Sequence, residues 1–148
     1  MLRYIGLWIA LWFTGAALAA DPGAPVVSVD FGTIVRVPGQ ATQIDPAKHF
    51  VLSSDGHAPA IAARIQRGAA EDYRLSYEVF WRDAGDNRYV RIEQSETWGI
   101  RAATARQGGV LIGPDFPAGV VPGLYRFDVF VNDLWAQSVE FSIDGPAP

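Results

Sequence analysis

Apolar and polar residues alternate along most of this chain. In the clearest stretch, residues 73–82, every second side chain is aromatic or aliphatic and those between them are mostly polar. Because successive side chains of a strand point to opposite faces, this period of two predicts strands that bury one face. The same pattern occupies residues 27–37, 49–53, 60–66, 88–93, 123–131 and 136–143, with weaker examples at 98–103 and 110–112. We expect seven or eight strands to form.

Turn-forming residues separate these segments, and the chain contains no long amphipathic helix pattern. Asp45-Pro46 predicts a single helical turn, with the aspartate as its cap and the proline at the first helical position. Gly32 interrupts the first strand and predicts a bulge or a close approach of another backbone segment. Many short strands joined by turns favour an all-β fold in which two sheets pack into a sandwich.

The last two strands pose a problem of register, because their apolar residues stand at odd positions on both strands. A two-residue turn at Asn132-Asp133 would pair odd positions with even ones, so that Phe127 would face Ser138. Each large side chain that misses the core in this way costs roughly 1.5–3 kcal/mol. We therefore predict a β-bulge near Trp135, or a connection longer by one or three residues, which would pair odd positions with odd ones.

The segment Pro122–Phe127 resembles the penultimate strand of immunoglobulin-like domains. In those domains a tyrosine two residues before the second disulfide cysteine bonds through its hydroxyl to the backbone upstream; Tyr125 holds that position here, and Phe127 replaces the cysteine. By the same resemblance Trp81 would be the buried tryptophan of the central strand. Residues 136–143 are similar to the final strand of small exported bacterial sandwich domains of unknown function. The resemblance implies an immunoglobulin-like sandwich of mostly antiparallel strands, and it implies no activity.

The first residues have the composition of an export signal. Arg3 precedes an apolar run at residues 5–13, and the small residues that follow include a small-x-small site ending at Ala19. The apolar run is shorter than the roughly 20 residues that a membrane span requires. We therefore predict a cleavable signal peptide over residues 1–19, with cleavage after Ala19 or Ala20, rather than an uncleaved N-terminal anchor.

Cleavage would leave residues 20–148 as a single domain with frayed ends, in the periplasm of a bacterium or secreted from it. The chain has no cysteine, so packing rather than disulfides must supply its stability. Its formal net charge is −4, and no basic cluster occurs. This charge balance argues against nucleic-acid partners, and we expect no membrane insertion after the signal is removed.

Residues 53–57, Ser-Ser-Asp-Gly-His, contain the three side-chain types of a hydrolytic triad. Triad members converge from separate elements of a fold, however, and the sequence has no Gly-x-Ser-x-Gly elbow. Since Ser, Asp and Gly favour turns, we interpret this segment as a turn. We find no other catalytic set, and we therefore expect a protein that is not an enzyme.

Two further segments are candidate cation sites. His49 and His57 are the only histidines, and with Asp55 or Asp45 they could hold a metal across a turn, although surface histidines are the simpler interpretation. Residues 83–87, Asp-Ala-Gly-Asp-Asn, offer oxygen ligands to calcium but lack the spaced acidic positions of the twelve-residue calcium loop. A hairpin connection is therefore favoured, and no metal or cofactor is expected.

Tyr89, Trp98 and Trp135 are the aromatic residues best placed for binding. Tyr89 lies opposite the apolar face of its strand, and Trp98 follows a polar stretch. Trp135 lies at the predicted bend, beside the turn residues Asn132 and Asp133. On one exposed surface these residues would form a stacking platform for sugars or a hot spot for a protein partner. The alternative is that the tryptophans belong to the core, because large aromatic residues dominate sandwich cores.

Three functional hypotheses follow. The first is a non-catalytic exported module that contacts another protein through a sheet edge or through the Trp135 loop. The second is a carbohydrate-binding module that uses exposed aromatic residues. The third is a metal-dependent hydrolase that uses His49 and His57. The first is favoured because the export signal is accompanied by no catalytic constellation.

Overall fold

The computed structural model of the chain describes residues 27–66, 71–83, 85–102, 109–114, 116 and 120–146. The predicted signal peptide and the outermost residues of the predicted frayed ends lie outside these ranges. The described residues form ten strands: β1 Ser28–Val35, β2 Gln43–Pro46, β3 His49–Val51, β4 Ile61–Gln66, β5 Tyr73–Arg82, β6 Val90–Gln94, β7 Trp98–Ile100, β8 Val110–Ile112, β9 Gly123–Val131 and β10 Leu134–Asp144. Within the described ranges, no helix is long and apolar enough to cross a membrane.

The strands form two sheets. The four-stranded sheet has the order β2-β1-β4-β8, and the six-stranded sheet has the order β3-β10-β9-β5-β6, with β7 as a further partner of β5. β7 pairs with the beginning of β5 and β6 with its end, so that the two strands share one side of it. Neighbouring strands of the described part run antiparallel, except that β3 and β10 run parallel.

Aromatic rings join the two sheets across a common core. Phe31, on β1 of the four-stranded sheet, lies 5.7 Å from Phe127 and 4.9 Å from Phe141 between ring centroids. Tyr77 stacks on Phe127 at 4.9 Å within the six-stranded sheet. Each such pair contributes about 0.5–1.5 kcal/mol beyond the area that it buries. The prediction of an all-β fold with two packed sheets is confirmed.

Asp45 and Pro46 belong to strand β2 and not to the predicted helical turn, and the described residues form ten strands, more than the seven or eight predicted. β2 lies at the edge of its sheet, where a proline can take part in a strand although it donates no hydrogen bond. Gly32 is the residue opposite Pro46, and a Cβ atom at Gly32 would collide with the carbonyl oxygen of Asp45. The close backbone approach predicted at Gly32 is confirmed, and it is this approach that adds β2 to the sheet.

Asn132 and Asp133 connect β9 to β10 in a two-residue turn. Both have positive φ values, 52° and 66°, as a type I′ turn requires. Leu134 consequently pairs directly with Val131. The turn is fixed to β5, because the Arg74 N–H donates to Asn132 Oδ1 and the Asn132 N–H donates to the Arg74 carbonyl oxygen, each at 2.9 Å.

A β-bulge beside this turn brings the apolar residues of both strands onto one face, so the predicted bulge near Trp135 is confirmed. The register shifts between Trp135 and Gln137, which makes Ala136 the extra residue. Beyond the bulge Phe127 pairs with Val139, and the two side chains are only 0% and 5% exposed. The short turn and the continuous core face are therefore compatible only because of Ala136.

Tyr125 fixes the entry of the chain into β9. Its hydroxyl donates to the carbonyl oxygen of Val121, and its ring stacks on Phe141 with centroids 5.3 Å apart. Burial raises the pKa of Tyr125 to about 12, so that the hydroxyl remains a protonated donor at physiological pH. The contact joins the loop before β9 to the core.

Deletion of Ala136 should unfold the protein. Without the bulge, Val139, Phe141 and Ile143 would turn to the opposite face, at a cost of roughly 1.5–3 kcal/mol each. Their sum is comparable with the roughly 5–15 kcal/mol by which domains are stable. We expect the deletion variant to lose its cooperative urea transition and its near-ultraviolet circular dichroism. Ala136→Ser, which keeps the residue count, should retain both; a deletion variant that unfolds near the wild-type midpoint would contradict this account of the register.

Candidate functional site

The side of the six-stranded sheet that faces away from the core carries aromatic and charged side chains. We call it the outer face. Phe80 and Arg126 are neighbours across β5 and β9, as are Glu78 and Asp128. The outer face consists of Ser76, Glu78, Phe80 and Arg82 of β5, Leu124, Arg126, Asp128 and Phe130 of β9, Trp135, Ser138 and Glu140 of β10, and Tyr89 before β6.

Asp128 is buried at the centre of the outer face, where it is 5% exposed. Its Oδ1 atom lies 3.0 Å from Nε of Arg126 and accepts a hydrogen bond from the Ser138 hydroxyl at 2.6 Å. Ser138 in turn accepts one from the indole N–H of Trp135 at 3.0 Å. Because Trp135 and Ser138 stand on either side of Ala136, this chain of hydrogen bonds holds the two ends of the bulge together.

Tyr89 forms a second cluster with the side chains around it, which we call the Tyr89 corner. The guanidinium carbons of Arg82 and Arg126 lie 5.0 and 4.9 Å from its ring centroid, and Arg126 also lies 4.4 Å from the Phe80 centroid. The Tyr89 hydroxyl donates to Glu140 at 3.0 Å. Burial, with the hydrogen bond to Glu140 and its negative charge, raises the pKa of Tyr89. The phenol is therefore a neutral donor at physiological pH.

A hollow of about 180 Å³ lies at the opposite end of the outer face, next to the β9–β10 turn. Phe130 supplies its aromatic wall. Its two carboxylates are already paired, Glu78 with Arg91 at 2.6 Å and Asp133 with Arg74. Three of its neutral polar side chains, Ser76, Gln94 and Thr97, make no hydrogen bond to the described residues, whereas the Tyr77 hydroxyl donates to Glu93. We call this feature the Phe130 hollow.

Trp98 lies away from the outer face. It pairs with Leu75, which is 0% exposed, and its ring centroid is 5.9 Å from that of Tyr77. Cross-strand partners share one face of a sheet, so Trp98 covers the edge of the core. Of the three aromatic residues singled out in the sequence, Tyr89 and Trp135 share the outer face and Trp98 does not.

The turn residues Asn132 and Asp133 are exposed but firmly positioned. The carboxylate of Asp133 pairs with the side chain of Arg74, and Asn132 bonds to the Arg74 backbone in both directions. The next residue, Leu134, is 36% exposed. The turn is therefore rigidly supported, and Leu134 lies on the same face of the sheet as its core partner Val131.

Residues 53–57 form a turn, as predicted. The Ser53 hydroxyl donates to Asp55 and accepts from the His57 N–H at 3.0 Å, while Gly56 adopts a φ of 80°. The imidazole of His57 lies 3.5 Å from Asp55. The hydrogen bond from Ser53, together with the nearby His57, holds the pKa of Asp55 below its usual value. Serine, aspartate and histidine thus bond locally, and the serine hydroxyl does not point at the imidazole.

The two histidines have separate partners. His49 Nδ1 lies 2.7 Å from the Ser142 hydroxyl, and its Nε2 lies 3.3 Å from Asp144, so it joins β3 to β10. His57 belongs to the turn with Asp55. Among the residues that the structure describes, no group of three or more His, Cys, Asp or Glu side chains is arranged to hold a metal ion.

The loop between β5 and β6 is a hairpin connection, as predicted for residues 83–87. The carboxylate of Asp83 accepts from the Gly85 N–H and that of Asp86 from the Arg88 N–H, each at 3.0 Å. Both aspartates are thus occupied by hydrogen bonds within their own loop. They shape the turn in the way that Asp commonly does.

Comparison of the chain with protein-family models, with curated proteins and with solved structures finds no match.

Phe80, Phe130, Arg126 and Asp128 were not recognised as site residues from the sequence. Two of them did leave a signal: Phe80 and Phe130 stand at even positions, among the polar residues of strands whose odd positions form the core. An aromatic residue on the polar side of an alternating strand is a candidate for binding. No pattern in the sequence identifies Asp128, because its burial depends on Arg126 and on side chains of β10.

Asp128→Ala should destabilise the domain by about 2–3 kcal/mol, because it leaves Arg126 and Ser138 without their shared acceptor in a largely buried position. Asp128→Asn, which keeps an acceptor, should cost less. Arg74→Gln is the matched control: it breaks an ion pair whose side chains are 60% and 61% exposed, and such pairs contribute less than about 1 kcal/mol. Urea unfolding measures all three variants, and equal losses for Asp128→Ala and Arg74→Gln would contradict a central role for Asp128.

Proposed function

We propose that this chain is an exported, non-catalytic immunoglobulin-like domain that binds another protein through its outer face. The observation that carries the proposal is the guanidinium of Arg126, held between the rings of Phe80 and Tyr89 and neutralised by Asp128. Tryptophan, tyrosine and arginine are the residues most enriched in interface hot spots. An arginine that is already positioned and desolvated loses little conformational entropy when a partner binds.

The strand arrangement and one hydrogen bond support the immunoglobulin-like part of the proposal. β9 lies between β10 and β5 in its sheet, and edge strand β3 runs parallel to the final strand. The hydroxyl of Tyr125 bonds to the backbone of Val121, four residues upstream, which is the geometry of a tyrosine corner. Both features match the resemblance of the Pro122–Phe127 segment.

Export is proposed from the sequence of the first residues. The positive start, the short apolar run and the small-x-small site ending at Ala19 are the three parts of a signal peptide. A chain with such a signal is delivered to the periplasm or secreted from the bacterium. The mature domain would begin at Ala20 or Asp21.

We propose that the chain is not an enzyme because its candidate catalytic side chains hydrogen-bond to neighbouring groups of the fold. The hydroxyl of Ser53 and the carboxylate of Asp55 bond to each other within one turn, and His49 joins two strands. On the outer face, Asp128 and Glu140 each accept a hydrogen bond from a neighbouring side chain. These groups stabilise the fold, whereas a catalytic base needs a neighbouring nucleophile or substrate proton within its reach.

Site-specific crosslinking in the bacterium that makes this protein tests the proposal. A photoreactive phenylalanine analogue placed at Tyr89 or at Phe130 should give the same partner adduct, because both positions lie on the outer face. The crosslinked protein should be recovered from the periplasm or medium with Ala20 or Asp21 as its first residue.

Leu111 is the control position, since it is 40% exposed on the four-stranded sheet and lies away from the outer face. An adduct from all three positions would indicate unspecific contact. Absence of any adduct, with the labelled protein folded and exported, would contradict the proposal.

Carbohydrate binding is the second candidate, and the Phe130 hollow favours it. An aromatic wall beside Ser76, Gln94 and Thr97, with both carboxylates neutralised, offers neutral hydrogen-bonding groups to a polyhydroxylated ligand. An apolar surface with a few placed polar groups is the usual composition of a small-molecule site. The hollow holds only about 180 Å³, less than the roughly 300–1,000 Å³ of small-molecule sites, and for that reason the protein partner remains the leading proposal.

Tryptophan fluorescence across a panel of soluble cell-wall and storage oligosaccharides tests this second candidate. Trp135 pairs with Phe130, so a bound sugar should change the tryptophan emission in a saturable way. Phe130→Ala should raise the Kd obtained from that change at least about tenfold, which corresponds to a loss of roughly 1.4 kcal/mol of binding free energy. Phe80→Ala, at the other end of the outer face, should leave the response unchanged. Emission that stays constant with every oligosaccharide would remove the carbohydrate hypothesis.

A further inference from the structure

Arg82 differs from Arg126, the other arginine of the outer face, in having no counter-charge. Its guanidinium lies over the Tyr89 ring at 5.0 Å, and its Nε atom is buried without a hydrogen-bond partner. The side chain makes no ion pair with any residue that the structure describes. A buried donor without an acceptor is rare in native proteins and requires an explanation.

The neighbouring arginines show the usual arrangement. Arg126 is paired with Asp128, and Arg91 lies 2.6 Å from Glu78. Tyr89 is thus flanked by two guanidinium groups, of which Arg126 is neutralised and Arg82 is not.

The carboxylates of the adjacent residue Asp83 and of Glu140 in the Tyr89 corner have other partners. Asp83, the next residue in the chain, accepts a hydrogen bond from the Gly85 N–H at 3.0 Å and so bonds within its own loop. Glu140 accepts the hydroxyl of Tyr89 at 3.0 Å. Neither forms an ion pair with Arg82, so the charge of Arg82 stays available on the outer face.

The position of Arg82 makes it accessible to a partner. It is the last residue of β5 and lies opposite Leu124, at the beginning of β9, where the outer face reaches the end of the sheet. Its side chain is half-buried, and the Tyr89 ring supports one side of it. A planar guanidinium backed by an aromatic ring presents its remaining N–H groups in a fixed fork that matches a carboxylate.

We propose that Arg82, supported by Tyr89, is a carboxylate-recognition site of the outer face. This inference rests on the proposed function and names the chemistry of the partner contact: an aspartate or glutamate side chain, or a C-terminal carboxylate, placed against Arg82. Binding would give the terminal N–H groups of Arg82 an acceptor and would neutralise the one uncompensated guanidinium of the Tyr89 corner. No covalent bond is formed or broken.

Arginine side-chain NMR on the ¹⁵N-labelled protein, residues 20–148, tests the site directly. Three probes are titrated: N-acetylglutamate α-amide has only a side-chain carboxylate, N-acetylglutamine has only an α-carboxylate, and N-acetylglutamine amide has none. We expect the Nε–Hε signal of Arg82 to shift in a saturable way with at least one carboxylate probe and not with the amide. The probe that acts identifies whether the partner group is a side chain or a C-terminus.

Arg88 is the internal control, because it is exposed and belongs to the adjacent loop. Half-saturation at Arg82 should need at least about tenfold less probe than at Arg88, as a preformed fork binds better than a free side chain. Arg82→Lys should lose the fork while keeping the charge, and Arg82→Gln should abolish the response, with the backbone spectra of both variants unchanged. Linear shifts that are equal at Arg82 and Arg88 would overturn the inference.

The crosslinking experiment separates this inference from the proposed function. If the outer face binds a protein but Arg82 does not contact its carboxylate, the adduct from the analogue at Phe130, which leaves the Tyr89 ring in place, survives Arg82→Gln, and the Arg82 signal does not respond to the probes. If the proposed function itself is wrong, the adduct is absent already in the wild-type background. Loss of the adduct in Arg82→Gln together with a saturable Arg82 response supports both.

Discussion

The register of the last hairpin is the constraint on which the rest of this structure depends. β9 lies at the middle of the six-stranded sheet, and Phe127 on it contacts both Phe31 of the other sheet and Tyr77 of β5. These contacts require Phe127 and Val139 to face the same side, and only the extra residue Ala136 permits this after a two-residue turn. The burial of a few aromatic side chains thus decides the geometry of the whole sheet.

The same bulge shapes the outer face. By bending β10, Ala136 places Trp135 and Ser138 where they can bond to each other and to Asp128. Asp128 in turn fixes Arg126 against Phe80 and Tyr89. Bulges commonly re-aim side chains next to functional sites. The core and the candidate binding face are therefore two consequences of one inserted residue.

The alternation of apolar and polar residues predicted most of the strands, but it predicted only some residues of the candidate site. Tyr89 was identified because it lies opposite the apolar face of its strand and Trp135 because it lies at a predicted bend, and the two share one face. Trp98 looked equivalent in sequence, yet it covers the core edge because it pairs with Leu75. β2 was missed because a strand of four residues is too short to show an alternating pattern. Its pairing beside Gly32 also joins two segments that are separate in the sequence.

The sequence by itself determined which residues could be buried and, through the conflict between the turn and the odd-numbered apolar residues, that the last hairpin needs either a bulge near Trp135 or a longer connection; the two-residue turn of the structure selects the bulge. This is so because side-chain alternation and the transfer of apolar groups from water are local properties that can be counted along a chain. The tertiary structure alone decided which charges meet. Asp128 finds Arg126 and Ser138, while Arg82 finds only the ring of Tyr89, since the pairing of polar groups depends on the strands that folding brings side by side.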